Sequence, residues 1–160
     1  GGWMQVAAAA VGASGRIVGV DLAAIDPPLE LANTIALQGD LSDAAAPARL
    51  IEALGRSAAD VVLSDAAPKL TGIRATDRAR EEALLEAIEG LLPSLLRPGG
   101  NLIVKVLEGP EAQAAIRRLR SRFTRATTDR PDASRAGTSE RYLIASGYLG
   151  PASPQATQIG

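Results

Sequence analysis

Short runs of β-branched and aliphatic residues alternate with helix-like segments along most of this chain. Four of the runs have the length and composition of buried strands: residues 16–20, 34–38, 60–64 and 101–107. Strands that alternate with helices are typical of a doubly wound, mostly parallel sheet. Two further strands, near residues 124–128 and 141–146, would close this sheet. We therefore predict one α/β domain over residues 1–150 and a polar tail over residues 151–160.

Two long helices are predicted in the C-terminal half. Thr76 or Asp77 is a suitable cap for a helix that carries an apolar stripe from Leu84 to Leu92. A second, arginine-rich amphipathic helix is predicted over Glu111–Phe123.

The residue types that the chain lacks limit its chemistry. None of its 160 residues is cysteine or histidine, which excludes disulfides, thiolate or histidine zinc sites, a Ser-His-Asp triad and a cysteine nucleophile. Any catalysis must therefore use carboxylates, lysine, arginine, tyrosine or hydroxyl groups. No apolar stretch approaches the roughly 20 residues of a membrane span, and no cluster of residues suggests a metal site. We expect neither a membrane segment nor a bound metal.

Acidic residues stand at the ends of predicted strands, where ligands bind in a doubly wound sheet. Asp21 ends one strand, and a carboxylate there can accept hydrogen bonds from both ribose hydroxyls of a nucleoside. Asp40 ends the next strand and could meet an adenine amino group. Each position also has a simpler interpretation, because Asp commonly closes turns and caps helices.

The first residues, Gly1, Gly2 and Trp3, have the composition of a glycine-rich loop that leads into a helix. Glycine lets a ligand approach the backbone closely, and the unpaired N–H groups at a helix N-terminus can bind it. Trp3 could equally belong to the core of the domain.

A lysine interrupts one of the most apolar strands. Lys105 lies within Leu102–Leu107, where a charged side chain is costly unless it is paired or reaches an active edge. Asp65 ends a strand that is adjacent in a doubly wound order. The two would form a carboxylate–ammonium pair at the crevice, which is a candidate catalytic site. A solvated lysine at the sheet edge is the alternative.

Basic residues are concentrated in one stretch. Eight arginines fall between positions 117 and 141 against three acidic residues, although the net charge of the whole chain is −1. Such a stretch is either a solvated helix face or, beside a site for a polyanion, a binding surface for phosphates. The candidate phosphate contacts are Arg117, Arg118, Arg120 and Arg135.

Seven segments, in order along the chain, resemble the motifs of the FtsJ-like RNA 2′-O-methyltransferases. They are GGWMQVA from Gly1, VDL around Asp21, QGD ending at Asp40, LSDAAP around Asp65, PGG ending at Gly100, VKV around Lys105, and ASR with the later SE that ends at Glu140. The resemblance extends to about Gly150. It is strongest to the bacterial enzymes that methylate a uridine ribose in large-subunit (23S) ribosomal RNA.

The resemblance implies a class I methyltransferase fold, Rossmann-like and doubly wound, with S-adenosylmethionine as cofactor. The residues that match cofactor contacts of the family are Gly1, Trp3, Asp21 at the ribose, Asp40 at the adenine, and Asp65 at the methionine and methyl end. It also implies ribosomal RNA of the large subunit as the partner, phosphate contacts by the arginines, and a cytoplasmic monomer.

The family uses a Lys-Asp-Lys-Glu tetrad for catalysis. Asp65, Lys105 and Glu140 match its last three members, and the first lysine has no counterpart in this chain. The resemblance assigns the base to Lys105. Beside Asp65, this lysine could instead orient the ribose hydroxyl, and we keep both interpretations.

The chain begins without methionine, and the resemblance implies a first strand upstream of Gly1. That strand would lie between the strands that end at Asp21 and Asp65. Without it, two strands lose a hydrogen-bonding partner. We therefore expect the 160 residues alone to be poorly stable, to bind cofactor weakly and to be inactive.

Two other functions fit parts of the sequence. Asp21 alone would allow a nicotinamide-dependent or other nucleotide-binding enzyme with a Rossmann-like fold. A non-catalytic RNA-binding or ribosome-assembly module would keep the fold and explain the absent first lysine. Binding of a nicotinamide cofactor, or the lack of any methyl transfer, would favour these alternatives.

Overall fold

Four helices and six strands occur in the computed structural model, which describes residues 2–68, 71–107, 110–130 and 140–151. The helices are α1 (Gly2–Val11), α2 (Ala46–Leu54), α3 (Arg74–Leu95) and α4 (Pro110–Arg120). The strands are β1 (Ile17–Asp21), β2 (Thr34–Gln38), β3 (Ala59–Ser64), β4 (Leu96–Leu107), β5 (Phe123–Asp129) and β6 (Glu140–Tyr148). Up to α4 the elements follow the order that the sequence predicts, with a loop and no helix between β1 and β2, and two strands come after α4.

The strands form two sheets. β1 pairs in parallel with β2, so that Asp21 lies opposite Gln38. In the larger sheet β3 is parallel to β4, and β6 lies between β4 and β5 and is antiparallel to both. Within the described ranges no backbone pairing connects β1 with β3. The strands that the sequence predicts for one doubly wound sheet therefore lie in two separate sheets.

The main core lies between the larger sheet and helices α3 and α4. Leu102 and Val104 point from β4 into this core and are fully buried. Leu92 of α3 and Leu119 of α4 are fully buried in the same cluster. Because side chains alternate between the two faces of a strand, Lys105 points away from the helices.

Helix α1 packs closely on β1 at Gly19. A Cβ at this position would overlap the Sδ of Met4, so a larger residue would force the Met4 side chain to move. At the end of α1, Nδ2 of Asn33 donates to the carbonyl oxygens of Ala8 (3.3 Å) and Gly12 (2.9 Å). These bonds satisfy carbonyl groups that a helix C-terminus leaves without intrahelical partners.

Two predicted helix boundaries are wrong. Helix α3 begins at Arg74, after Ile73, so neither Thr76 nor Asp77 is its cap residue. Asp77 instead lies in the first turn and binds the preceding loop. The arginine-rich helix ends at Arg120 because Phe123 begins β5 and packs in the core.

Candidate active site

Lys105 and Asp65 form an ion pair near the carboxyl ends of two parallel strands. Ser64 lies opposite Val104 in the β3–β4 ladder, so the next residue on each strand is a member of the pair. Nζ of Lys105 lies 2.9 Å from Oδ1 of Asp65. The lysine side chain is 12% exposed and the aspartate side chain 44% exposed, so the lysine is mostly buried and the carboxylate is accessible from solvent.

Tyr142 is a third member of this cluster that sequence reasoning missed. It lies opposite Lys105 in the antiparallel β4–β6 ladder. Its hydroxyl donates a long hydrogen bond of 3.5 Å to Oδ1 of Asp65, the oxygen that also contacts Lys105. The position could have been found only from the strand register, because a tyrosine in a β-rich segment is common by itself.

The aromatic ring of Tyr142 also contacts the start of helix α1. The centroids of the Trp3 and Tyr142 rings are 5.6 Å apart, with an angle of 31° between the ring planes. This distance falls in the range of stabilising aromatic pairs. Trp3, a predicted cofactor contact, thereby contacts the same tyrosine that bonds to the catalytic candidate Asp65.

Asp21 and Asp40 lie at the same edge of the smaller sheet. The N–H of Gly39 donates to the carbonyl of Asp21 (2.8 Å), which holds the ends of β1 and β2 together. Oδ1 of Asp21 accepts a bond from the N–H of Ala23 (2.9 Å). Both carboxylates are exposed, so they are accessible to a ligand at this edge.

Ser42 donates two hydrogen bonds that stabilise the Asp40 carboxylate. Oδ1 of Asp40 accepts bonds from the Ser42 hydroxyl (2.7 Å) and the Ser42 N–H (2.8 Å). The hydroxyl bond, and next the backbone bond, lower the pKa of Asp40 from its ordinary value. Two exposed carboxylates at the ends of adjacent parallel strands are suited to accept bonds from the hydroxyl and amino groups of a nucleoside.

Three predicted site residues cannot be described in full. Gly1 and Arg135 lie outside the described residues. Glu140 begins β6, where its backbone lies opposite Leu107, and its side chain is outside the described part. These three assignments stay predictions.

The structure separates the predicted phosphate-binding arginines. Nε of Arg118 lies 3.1 Å from Glu89, and another guanidinium nitrogen lies 3.6 Å from Glu86, so this arginine links α4 to α3. Arg120 donates to the Thr128 hydroxyl at 3.1 Å. Arg117 is exposed and has no ion-pair partner among the described residues.

The described part of the chain contains neither an arrangement typical of a metal site nor a membrane-spanning helix. No group of three or more carboxylates there has the arrangement of a metal site. No helix there is both long and apolar enough to span a membrane.

The family model for FtsJ-like methyltransferases matches residues 1–148. This chain belongs to that family. The resemblance inferred from the sequence motifs is thus confirmed, and so is the class I methyltransferase fold, an α/β arrangement with a mixed sheet.

Curated relatives carry the name ribosomal RNA large subunit methyltransferase E. The protein of Halorubrum lacusprofundi is 43% identical over 147 residues, which cover 92% of this chain and 54% of that protein. The protein of Magnetococcus marinus is 39% identical over 150 residues, which cover 94% of this chain and 69% of that protein. The chain thus spans only about half to two thirds of these relatives.

Solved structures are similar to this fold. A ribosomal RNA methyltransferase of Plasmodium falciparum has a TM-score of 0.71 and 25% identity, covering 85% of this chain and 74% of that chain. The fibrillarin pre-rRNA processing protein of Methanococcus jannaschii has a TM-score of 0.60, with coverage of 86% of this chain and 57% of that chain. At 12% identity, the second likeness concerns the fold alone.

Proposed function

We propose that the protein transfers a methyl group from S-adenosylmethionine to the ribose 2′-hydroxyl of a uridine in large-subunit (23S) ribosomal RNA. The observation that carries this proposal is the Lys105–Asp65 ion pair at the edge where ligands bind in such a sheet. Membership of the FtsJ-like family and the names of the relatives support the reaction and the RNA class. The 2′-oxygen and the uridine are inferred from the resemblance of the motifs.

The residues along the crevice suit the cofactor. In the proposal Asp21 accepts the ribose hydroxyls, Asp40 contacts the adenine amino group, and Gly1 and Trp3 border the cofactor at the start of α1. Asp65 faces the methionine end. The ionised state of Asp40 supports its role as an acceptor. When bound, S-adenosylmethionine supplies a methyl group on a positively charged sulfonium.

The catalytic residues then have to hold the attacking oxygen. An ammonium carries three N–H donors, and that of Lys105 is directed by the carboxylate of Asp65 at 2.9 Å. We propose that Lys105 donates to the 2′-oxygen and so fixes its direction toward the methyl carbon, while the 2′-hydroxyl proton passes to the neighbouring carboxylate of Asp65 as the oxygen is methylated. Alignment of this kind accounts for a large part of the acceleration in many enzymes. Glu140 completes the set as a second carboxylate.

The RNA backbone would be bound by the arginine-rich region. Arg117 is the strongest candidate, because it is exposed and unpaired among the described residues. Arg120 and Arg135 stay in the proposal as phosphate contacts. Arg118 is a weaker candidate, since its guanidinium is held between Glu86 and Glu89.

We also propose that residues 1–150 form one methyltransferase domain that acts as a cytoplasmic monomer. Lys105, Asp65, Tyr142 and Trp3 meet within a single copy of the chain, which supports a site that needs no second copy. A ribosomal substrate supports the location.

Methyl transfer to ribosomal RNA tests the proposal. Large-subunit RNA that lacks its natural modifications is incubated with labelled S-adenosylmethionine and the full-length protein or its Lys105→Ala variant. Digestion and mass spectrometry should find a 2′-O-methylated uridine with the unaltered protein and not with Lys105→Ala. The Arg56→Ala variant, which alters an exposed ion pair with Asp60, is the control and should remain active. Cofactor and RNA binding without any methylation would favour the non-catalytic RNA-binding module.

A further inference from the structure

Asp129 lies in the same row of the larger sheet as Lys105. It is the last residue of β5 and lies opposite Tyr142 in the β5–β6 ladder. Tyr142 in turn lies opposite Lys105 in the β4–β6 ladder. Since β6 is antiparallel to both β4 and β5, these two strands run in the same direction, and their carboxyl ends share one edge. Asp129 is therefore at the edge of the sheet that carries the proposed active site.

The side chain of Asp129 is on the same face of the sheet as that of Lys105. Directly opposed residues of neighbouring strands project from the same face. The residue before Asp129 faces the helices, because the Thr128 hydroxyl accepts a bond from Arg120 of α4 (3.1 Å). Side chains alternate along a strand, so Asp129 points away from the helices, as Lys105 does. The row of Lys105, Tyr142 and Asp129 thus crosses one face of the sheet.

The two ends of this row are separated by the size of one nucleoside. Neighbouring strands lie about 4.8 Å apart, so the steps from β4 over β6 to β5 place the backbones of Lys105 and Asp129 roughly 10 Å apart. Tyr142 lies between them, and its hydroxyl bonds to Asp65 on the β3 side of the row. A nucleoside whose 2′-oxygen lies at Lys105 can therefore extend its base toward Asp129.

The Asp129 carboxylate is accessible to a ligand. The residue is exposed at the end of its strand. Oδ1 accepts a bond from the N–H of Arg130 (2.8 Å), and among the described residues no hydrogen bond reaches Oδ2. An ionised carboxylate can accept hydrogen bonds but cannot donate them. The ligand that this side chain suits must therefore offer an N–H or O–H group.

The charge of Asp129 argues against a phosphate as this ligand. The residue is one of three acids in the stretch of eight arginines between positions 117 and 141. A phosphate would be attracted by the arginines and repelled by the carboxylate. The uncharged donors of a single-stranded RNA are its ribose hydroxyls and the edges of its bases. In the proposed function the ribose is held at Lys105, which leaves the base for Asp129.

We infer that Asp129 is a specificity-determining residue whose carboxylate accepts a hydrogen bond from the base edge of the target nucleoside. The inference rests on the proposed function, in which that nucleoside is a uridine. The Watson–Crick edge of uracil has a single N–H group, at N3, between two carbonyl oxygens. The N3–H group of the uridine is therefore the donor to Asp129.

A double-mutant cycle between protein and RNA tests the inference. The affinity of the full-length protein, with S-adenosylhomocysteine present, is measured for a large-subunit RNA fragment that carries uridine or N3-methyluridine at the target position. N3-methylation should weaken binding to the unaltered protein by about tenfold, the scale of one charge-assisted hydrogen bond. Asp129→Ala should bind the uridine RNA about tenfold more weakly, and N3-methylation should cause no further loss in this variant.

Two further variants separate the base contact from the structure of the strand end. Asp129→Asn keeps an oxygen that can accept the bond from Arg130, so its melting temperature should not change. Its uncharged oxygen should reduce the effect of N3-methylation to about threefold. Thr127→Ala is the matched control, because Thr127 lies on the same strand and face, opposite Ile144 and one row further from the edge. This variant should keep the tenfold discrimination.

Two results would overturn the inference. One is an unaltered protein that binds both RNAs equally, and the other is an Asp129→Ala variant that still discriminates between them by tenfold. The methylation assay separates these results from the proposed function. If the full-length protein methylates no RNA, the proposed function fails, and the base contact fails with it. If it methylates the uridine but Asp129→Ala discriminates as before, only the role of Asp129 is rejected.

Discussion

The Lys105 ammonium and the Asp65 carboxylate lie 2.9 Å apart, yet the lysine side chain is 12% exposed and its partner is 44% exposed. The cation of the pair is therefore mostly buried, and the anion is accessible. Such an arrangement allows the carboxylate to meet a ligand while it fixes the direction of the ammonium.

Replacing Asp65 by Asn should abolish most methyl transfer. The change leaves the Lys105 ammonium without its carboxylate, so we expect kcat to fall by about 100-fold or more. The free energy of unfolding should fall by only about 1 kcal/mol, because the aspartate is partly solvated. Single-turnover kinetics and denaturant unfolding measure the two effects. Asp60→Asn at the opposite end of β3 is the control, and an equal loss of activity there would contradict the expectation.

Tyr142 should matter through its ring more than through its hydroxyl. Tyr142→Phe loses the long 3.5 Å bond to Asp65 and keeps the ring beside Trp3, so kcat should fall less than about fivefold. Tyr142→Ala removes the ring contact and should lower kcat further. Trp3 is the only tryptophan in the chain, so its fluorescence reports on the contact directly. The Trp3 emission is expected to shift to the red in Tyr142→Ala and to stay unchanged in Tyr142→Phe. Identical spectra of the two variants would contradict the ring contact.

Arg117 and Arg118 should have different effects although they are neighbours. Arg117→Ala should weaken RNA binding and reduce the slope of log affinity against log salt by about 1, as for one lost phosphate contact. Arg118→Ala should mainly lower thermal stability, because it removes the ion pairs with Glu89 and Glu86 at the α3–α4 contact. Salt-dependent binding and melting temperature distinguish the two. The reverse assignment, or the same effect from both, would refute this prediction.

Acid should destabilise the fold through a few bonded carboxylates. The Arg97 side chain, at 2.6 Å from Asp60, lowers the pKa of Asp60 below its ordinary value of 3.8, and bonds from Ser42 and Thr71 do the same for Asp40 and Asp77. A carboxyl group whose pKa is lowered on folding stabilises the fold at pH values above its ordinary pKa. This contribution is lost as the pH falls through the pKa that the group has in the folded protein. The melting temperature should therefore change little from pH 7 to about 5 and fall below about pH 4.

The Asp60→Asn variant checks the origin of the acid effect. Its melting temperature should depend less steeply on pH between about 5 and 3, because one of the linked carboxylates is gone. Unchanged steepness would assign the acid loss to other groups.

Much of the fold and the central pair could be predicted from the sequence. Short β-branched runs give the strands, and acids at their ends fall at one edge because parallel strands share a direction. That reasoning alone predicts that Asp65 lies beside Lys105. The FtsJ-like motifs add the family, because seven segments in register are far more specific than one.

The residues that the sequence did not predict depend on packing across elements. Tyr142 reaches Asp65 only because β6 runs antiparallel to β4 in one particular register. Arg118 is a weaker candidate for a phosphate contact because two glutamates about 30 positions earlier, on a different helix, hold its guanidinium. The start of α3 was misplaced because Asp77 binds the preceding turn from within the helix, which a search for cap residues does not detect.

The division of the strands into two sheets has a consequence for how donor and acceptor meet. Within the described residues no ladder ties the sheet edge at Asp21, the proposed nucleoside contact, to the edge at Lys105, the proposed catalytic residue. What links them is helix α1, which rests on Gly19 at β1 and reaches Tyr142 on β6 through Trp3. The helix thus sets the distance between the two edges. In the proposed function this is the distance over which the methyl group is transferred, and it depends on the volume of the side chains that pack along the helix. A bulkier residue at position 19 would change that gap without touching either ligand.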